Sequence, residues 1–205
     1  MRNDYLLQLF LSCLEADYQN SDMNGSYACL RDGDRLYIFF EKSSGYEDWW
    51  NNLSYRAISR GRSGDVWYCH EGFLRVFESI RPEIEDAIMN ESVKSIVTVG
   101  YSHGAALALL CHEYIWYVRP DIREYIEGYG FGCPRVVWGR VKGEKMRWKR
   151  FYVIRNRDDL ITHLPPLITG YRHKGNLIEI GNGKKSGVDA HRPENYIASL
   201  SLNGS

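Results

Sequence analysis

Residues 95–110 run Ser95-Ile96-Val97-Thr98-Val99-Gly100-Tyr101-Ser102-His103-Gly104-Ala105-Ala106-Leu107-Ala108-Leu109-Leu110, and three kinds of chain meet there. The β-branched block Ser95 to Val99 reads as a short buried strand. Ala105 to Leu110 are strong helix formers. Between them lies Gly-x-Ser-x-Gly, Gly100 to Gly104, at the strand-to-helix junction. Such a turn doubles back sharply, and glycine at either end removes side chains that would clash. It presents a serine hydroxyl at the C-terminal edge of a sheet, the arrangement called a nucleophile elbow. It also aims the first backbone N–H groups of the helix at a nearby oxyanion. A structural glycine-rich turn is the competing reading.

Working outward, the periodicity of Tyr5, Leu6, Leu9, Phe10, Cys13 and Leu14 predicts an amphipathic helix over 4–18. Ser26 to Leu30 and Arg35 to Phe40 read as a hairpin turning at Asp32-Gly33. Tyr46 to Leu53 suggests a turn or two of helix, Gly61 to Gly64 a loop, and Val66 to His70 a short strand. Gly72 to Met89 has helical spacing, with Pro82 expected to bend or restart it. Ile126 to Phe131, Phe151 to Arg155 and Leu177 to Ile180 read as further strands, and Glu194 to Leu200 as a closing helix. Strands alternating with helices predict an α/β fold with a mostly parallel central sheet flanked by helices. A single domain over 1–205 is expected, with a frayed end from Leu202 to Ser205.

The bulk properties exclude several classes. Lys plus Arg and Asp plus Glu number 26 each among 205 residues. That balance argues against nucleic acid as a partner. Hydrophobic residues make up 44% and charged residues 25%, as in ordinary globular proteins. Cys13, Cys29, Cys69, Cys111 and Cys133 are odd in number and include no CxxC pair. They read as reduced and mostly buried, which favours the cytoplasm. Neither a secretion signal nor a membrane span is evident, although a mature secreted form also fits. No spacing suggests a metal site or an organic cofactor.

A serine hydroxyl is a poor nucleophile at neutral pH and needs a base, itself held by a third group. In elbow proteins the order is Ser, then Asp or Glu, then His. The candidate bases are therefore His103, His112, His163, His173 and His191. His103 follows the serine, so its backbone N–H is the useful part. His112 lies inside the elbow helix, and His173 sits in a strand-like segment. His191 lies in the polar loop Gly187 to Pro193, a setting that suits a catalytic histidine. For the acid, Arg155-Asn156-Arg157-Asp158-Asp159-Leu160 follows a strand. Either aspartate fits, the other being a solvated loop charge paired with Arg155 or Arg157.

With these residues in place, the chain resembles the class 3 lipase family of fungal-lipase-like α/β-hydrolases. Val99 to Leu107 is similar to its elbow, and Gly130-Phe131-Gly132-Cys133-Pro134-Arg135-Val136 to its F-G-x-P-R-V block. Asn156 to Pro166 resembles the segment carrying the family's aspartate, which selects Asp159. Tyr171-Arg172-His173-Lys174-Gly175 matches a structural strand. Ala190-His191-Arg192-Pro193-Glu194-Asn195-Tyr196 resembles the histidine segment, which favours His191. Cys69 to Leu74 is similar to H-x-G-F, making His70 structural. The departure lies at Phe39 to Gly45, where Glu41 and Lys42 replace the Arg and Gly of Phe-Arg-Gly-Thr. Ser43 then stands at the threonine position, with Ser44 the alternative for a loop shifted by one. Gly45 to Leu53 resembles the family's D-W-x-x-x-L stretch, the lid position.

The resemblance implies a serine carboxylester hydrolase with Ser102, Asp159 and His191 catalytic and the N–H groups of Ser43 and His103 forming the oxyanion hole. Trp49, Trp50 and Tyr101 are the candidate substrate-binding side chains, with core packing the alternative for the tryptophans. An ester or lipid substrate and transient contact with a lipid interface follow, without a cofactor. Two other readings are a phospholipid acyl hydrolase and a catalytically silent binding protein that keeps the hydrolase fold.

Overall fold

A computed structural model describes residues 3–23, 25–41, 55–62, 65–183 and 186–202. Helix α1, Asn3–Glu15, buries Leu6, Leu9, Phe10 and Cys13 on one stripe. It ends three residues earlier than its periodicity predicts. The Tyr18 hydroxyl folds back and donates to Cys13 O, satisfying a carbonyl of the last turn. A two-residue strand β1, Gln19–Asn20, leads into the hairpin of β2, Ser26–Asp32, and β3, Arg35–Phe40. Gly33 turns that hairpin at φ 61°. Its register pairs Tyr27 with Phe40 and Asp32 with Arg35.

Strands β4, Ala57–Arg62, and β5, Asp65–His70, form a second hairpin. Gly61 and Arg62, expected in a loop, belong to β4. Helix α2, Glu71–Met89, runs through Pro82 as one helix. Pro82 is on the exposed side, where water can satisfy the carbonyl it leaves unpaired. Phe73, Phe77, Ile80, Ile84 and Ile88 meanwhile hold the opposite face in the core.

Strand β6, Ser95–Tyr101, and helix α3, His103–Val118, meet at Ser102. Residues 103–115 of α3 are all buried, as expected of a helix that is apolar all round. Then come β7, Ile126–Phe131; β8, Val137–Trp138; the short α4, Glu144–Arg147; and β9, Phe151–Asn156. The chain continues with β10, Asp158–Asp159; β11, Tyr171–Arg172; β12, Asn176–Ile180; β13, Ser186–Gly187; and helix α5, Pro193–Ser201.

The main sheet has the order β1-β2-β3-β6-β7-β9-β12. It is antiparallel from β1 to β3 and parallel from β3 to β12. Alternate side chains face opposite layers. Ile38, Phe40, Ile96 and Val153 join the core under α2 and α3. Phe39, Val97, Val99, Phe131 and Ile154 pack with α1 and α5. The smaller sheet, β11-β8-β5-β4, is antiparallel throughout. Cys13, Cys69, Cys111 and Cys133 are buried free thiols, and Cys29 is exposed. No helix among the described residues is long and apolar enough to cross a membrane.

Candidate active site

Parallel pairing brings the C-terminal ends of β3, β6, β7 and β9 to one edge of the main sheet, where such folds hold their ligands. At β6 the chain turns through Ser102 with φ 57° and ψ −120°, the one non-glycine residue with positive φ among those described. The turn is possible because α3 starts almost in contact with the strands. A Cβ on Gly100 would lie 2.1 Å from Gly104 O, and one on Gly104 would lie 2.1 Å from Phe40 O. Ser102 N donates to Phe131 O at 2.8 Å, which ties the elbow to β7.

The acid and the base reach Ser102 from the following strands. Asp159 lies just beyond β9, and His191 sits in a short turn ahead of α5. A small parallel ladder joins the two loops, pairing Asp158 with Ser186 and Asp159 with Gly187. Asn156, at the end of β9, donates from Nδ2 to Ala190 O at 2.9 Å and accepts from Ser199 Oγ at 3.0 Å. The histidine loop is therefore clamped to both β9 and α5. Gly132, at φ 59°, clears room for the imidazole: a Cβ there would stand 2.7 Å from His191 Cε1.

His191 Nε2 lies 2.8 Å from Ser102 Oγ, and His191 Nδ1 lies 2.7 Å from Asp159 Oδ2. The carboxylate can only accept, so Nδ1 carries the proton and Nε2 is left to accept from the serine hydroxyl. Asp159 has no solvent exposure, and Ser102 and His191 are buried. Two further donors replace the water that Asp159 loses. Ile161 N reaches Oδ1 at 2.9 Å, and the Tyr196 hydroxyl reaches Oδ2 at 2.6 Å. Burial and the adjacent Asp159 raise the Tyr196 phenol well above its usual range, so it remains a donor there. Asn156 N in turn donates to Tyr196 Oη at 3.2 Å.

Ser102, Asp159 and His191 thus come together as the sequence suggests. The remaining histidines are occupied elsewhere. His173 Nε2 bonds Thr162 O at 2.8 Å, and His112 Nε2 bonds Arg147 O at 3.1 Å. His70 caps α2 by accepting from Gly72 N at 3.2 Å. His163 is exposed, and its carbonyl accepts from Arg135. The His103 ring packs on Phe73 with centroids 5.6 Å apart. Burial, with His70 adding to it, pushes that imidazole down to about 4.

His103 occupies the first position of α3, where a backbone N–H has no partner within the helix. Phe40 O and Glu41 O lie against Gly104 at the same corner. Lys42, Ser43 and Ser44 lie outside the described residues, as do Trp49, Trp50 and the lid position. Tyr101 is turned into the core behind His191, with its ring on the imidazole. Arg155 pairs with Glu179 across β9 and β12.

Sequence reasoning assigned no role to Asn156, Gly132 or the Tyr196 hydroxyl. The signal for Tyr196 was present. Pro193 opens the last helix, and Tyr196, Ser199 and Leu200 make its inward stripe.

A strained serine elbow, a Ser-His-Asp constellation and a parallel sheet between helical layers define an α/β-hydrolase. The model of the lipase (class 3) family matches residues 37–169. The chain belongs to the class 3 lipase family. His191 lies beyond the matched stretch, so its placement rests on the geometry given above. Among curated proteins, a lipase of Rhizomucor miehei is 28% identical over 68% of this chain and 40% of its own length. The secreted mono- and diacylglycerol lipase 1 of Fusarium solani is 31% identical over 51% of this chain and 32% of its own. The chain therefore spans well under half the length of these relatives. Among solved structures, Rhizomucor miehei triacylglyceride lipase superposes with a TM-score of 0.73 at 19% identity, covering 88% of this chain and 80% of that one.

Proposed function

We propose that the protein is a serine carboxylester hydrolase working through an acyl-enzyme. The observation that carries this reading is the continuous relay Ser102 Oγ, His191 Nε2, His191 Nδ1, Asp159 Oδ2, with steps of 2.8 and 2.7 Å. Ser102 Oγ attacks the ester carbonyl carbon while His191 Nε2 takes its proton. Asp159 holds the tautomer and offsets the imidazolium charge. The His103 N–H, with that of Ser43, stabilises the oxyanion. His191 then returns the proton to the departing alcohol. Water, activated by the same imidazole, releases the acid and restores Ser102.

The substrate class is acyl esters, and acylglycerols of the kind the relatives are named for are the first candidates. Leu160 and Val188, both exposed beside the acid and histidine loops, support an apolar or lipid-bearing substrate. So does Ile168, which is 95% exposed in the segment after the acid loop.

The test is fluorophosphonate labelling of wild type and Ser102→Ala, with nitrophenyl esters from acetate to palmitate assayed alongside. The expected result is labelling and hydrolysis in wild type and neither in the folded variant. Full activity in Ser102→Ala would sink the assignment. A folded wild type that neither labels nor hydrolyses would favour a binding protein.

A further inference from the structure

Tyr101 precedes the nucleophile, yet both ends of its side chain go to the histidine. Its ring lies on the His191 imidazole with centroids 5.1 Å apart and planes 25° apart. Its hydroxyl donates to His191 O. One side chain thus holds the backbone and the ring of the proposed base. Tyr101 is itself locked. Phe10 meets it edge-on at 5.3 Å and 83°, and Tyr196 at 5.8 Å and 63°. It is 3% exposed.

We propose that Tyr101 is a positioning residue whose aromatic face stabilises the cationic form of His191 during turnover. The inference rests on the hydrolase reading. When His191 takes the serine proton, its ring becomes a cation in a buried site. Asp159 meets that charge in the ring plane, at Nδ1. The face of the ring is met by the π cloud of Tyr101, and an electron-rich phenol attracts a desolvated cation there. Asp159, Tyr101 and Tyr196, with the hydroxyl of Ser102, are among the side chains that meet the imidazole. Tyr196 presents its ring at 88° and 6.4 Å, so the stacked face belongs to Tyr101. The hydroxyl has a separate duty, which is to hold the His191 carbonyl and stop the loop from sliding along the sheet edge.

Two substitutions separate these duties. Tyr101→Phe keeps the face and loses the hydroxyl, whereas Tyr101→Leu loses both. The expected result is an acid limb of the kcat/KM profile that stays in place in Tyr101→Phe. In Tyr101→Leu it moves to lower pH by about half a unit to one and a half units, the span of cation–π contacts from exposed to desolvated. In Tyr101→Leu kcat should also fall about tenfold with KM unchanged. Progressively fluorinated phenylalanines at position 101 keep the ring shape and drain its π cloud, so the acid limb should move stepwise with fluorination. That series decides the matter if Tyr101→Leu does not fold. An unmoved acid limb across it, or equal movement in Tyr101→Phe and Tyr101→Leu, overturns the proposal. The NMR titration of the His191 ring, assigned by loss of its resonance in His191→Gln, reads the same shift without turnover. Failed Ser102-dependent labelling would then remove the hydrolase reading while this readout still judged the stack.

Discussion

At Ser102 the backbone holds a conformation that suits glycine, and it does so for the sake of the hydroxyl. Positive φ on a residue with a side chain costs on the order of 1–3 kcal/mol. Ser102→Ala keeps that strain and Ser102→Gly releases it. The glycine variant should melt a few degrees above the alanine variant, both being inactive. Equal melting temperatures would mean that the elbow is not strained. The Tyr196 hydroxyl is a second single-residue device. Tyr196→Phe removes a 2.6 Å bond to the buried carboxylate and leaves the packing intact. A hydrogen bond to a charged group is worth about 1.5–3 kcal/mol. The expected effect is a fall in kcat of roughly tenfold or more with little change in KM, read by steady-state kinetics. Residue by residue, the serine and the histidine were legible because each needs a particular chemical type in a particular chain order, whereas the choice of Asp159 over Asp158 came only from the resemblance to the class 3 lipases. Tyr101, Asn156 and Tyr196 were not legible in role, because an aromatic or an asparagine is ordinary until its neighbour is known.

The elbow works as an element because strand and helix touch through glycine. Gly104 is tested more sharply than Gly100, since its missing Cβ would enter the carbonyl of Phe40 on a different strand. Gly104→Ala must push α3 away from β3 and with it the corner where the oxyanion hole is expected. The expected outcome is loss of at least about 2–3 kcal/mol in denaturant unfolding, in the range of backbone overpacking, together with loss of hydrolysis. Wild-type stability in that variant would show that the approach relaxes freely. The hairpin of β2 and β3, the strands β6, β7, β9 and β12, and helix α5 were all readable from hydrophobic pattern and turn residues. Strand β4 was not. Ala57-Ile58-Ser59-Arg60-Gly61-Arg62 has little apolar alternation and two glycines close together, Gly61 and Gly64, so only its pairing with β5 identifies it. Pro82 does not restart the helix. Its ring faces solvent, and the buried stripe on the far side of α2 keeps the helix whole.

Across the whole molecule, burial sets how the fold responds to acid. His103 and His112 are both pushed down to about 4 from 6.5, chiefly by desolvation. The unfolded chain therefore binds more protons than the native one between those values. Stability is fully present above pH 6.5 and is lost as the pH falls towards 4. Each ring contributes about 1–2 kcal/mol of loss by pH 5, and the melting temperature should drop by several degrees between pH 7 and pH 5. A flat profile there would mean that these rings take up protons in the fold as readily as in the unfolded chain.

Alone, the sequence determined the α/β class, the elbow, and the order of serine, acid and base, since periodicity and chain order are local properties of composition. What only the tertiary structure decided is which groups meet. Residues 89 positions apart come to 2.8 Å because five neighbouring strands end at one edge. His191 is oriented by an aspartate, a glycine, an asparagine and a tyrosine ring drawn from separate elements. Such contacts follow from sheet order and loop pairing, which are non-local and which no window of sequence contains.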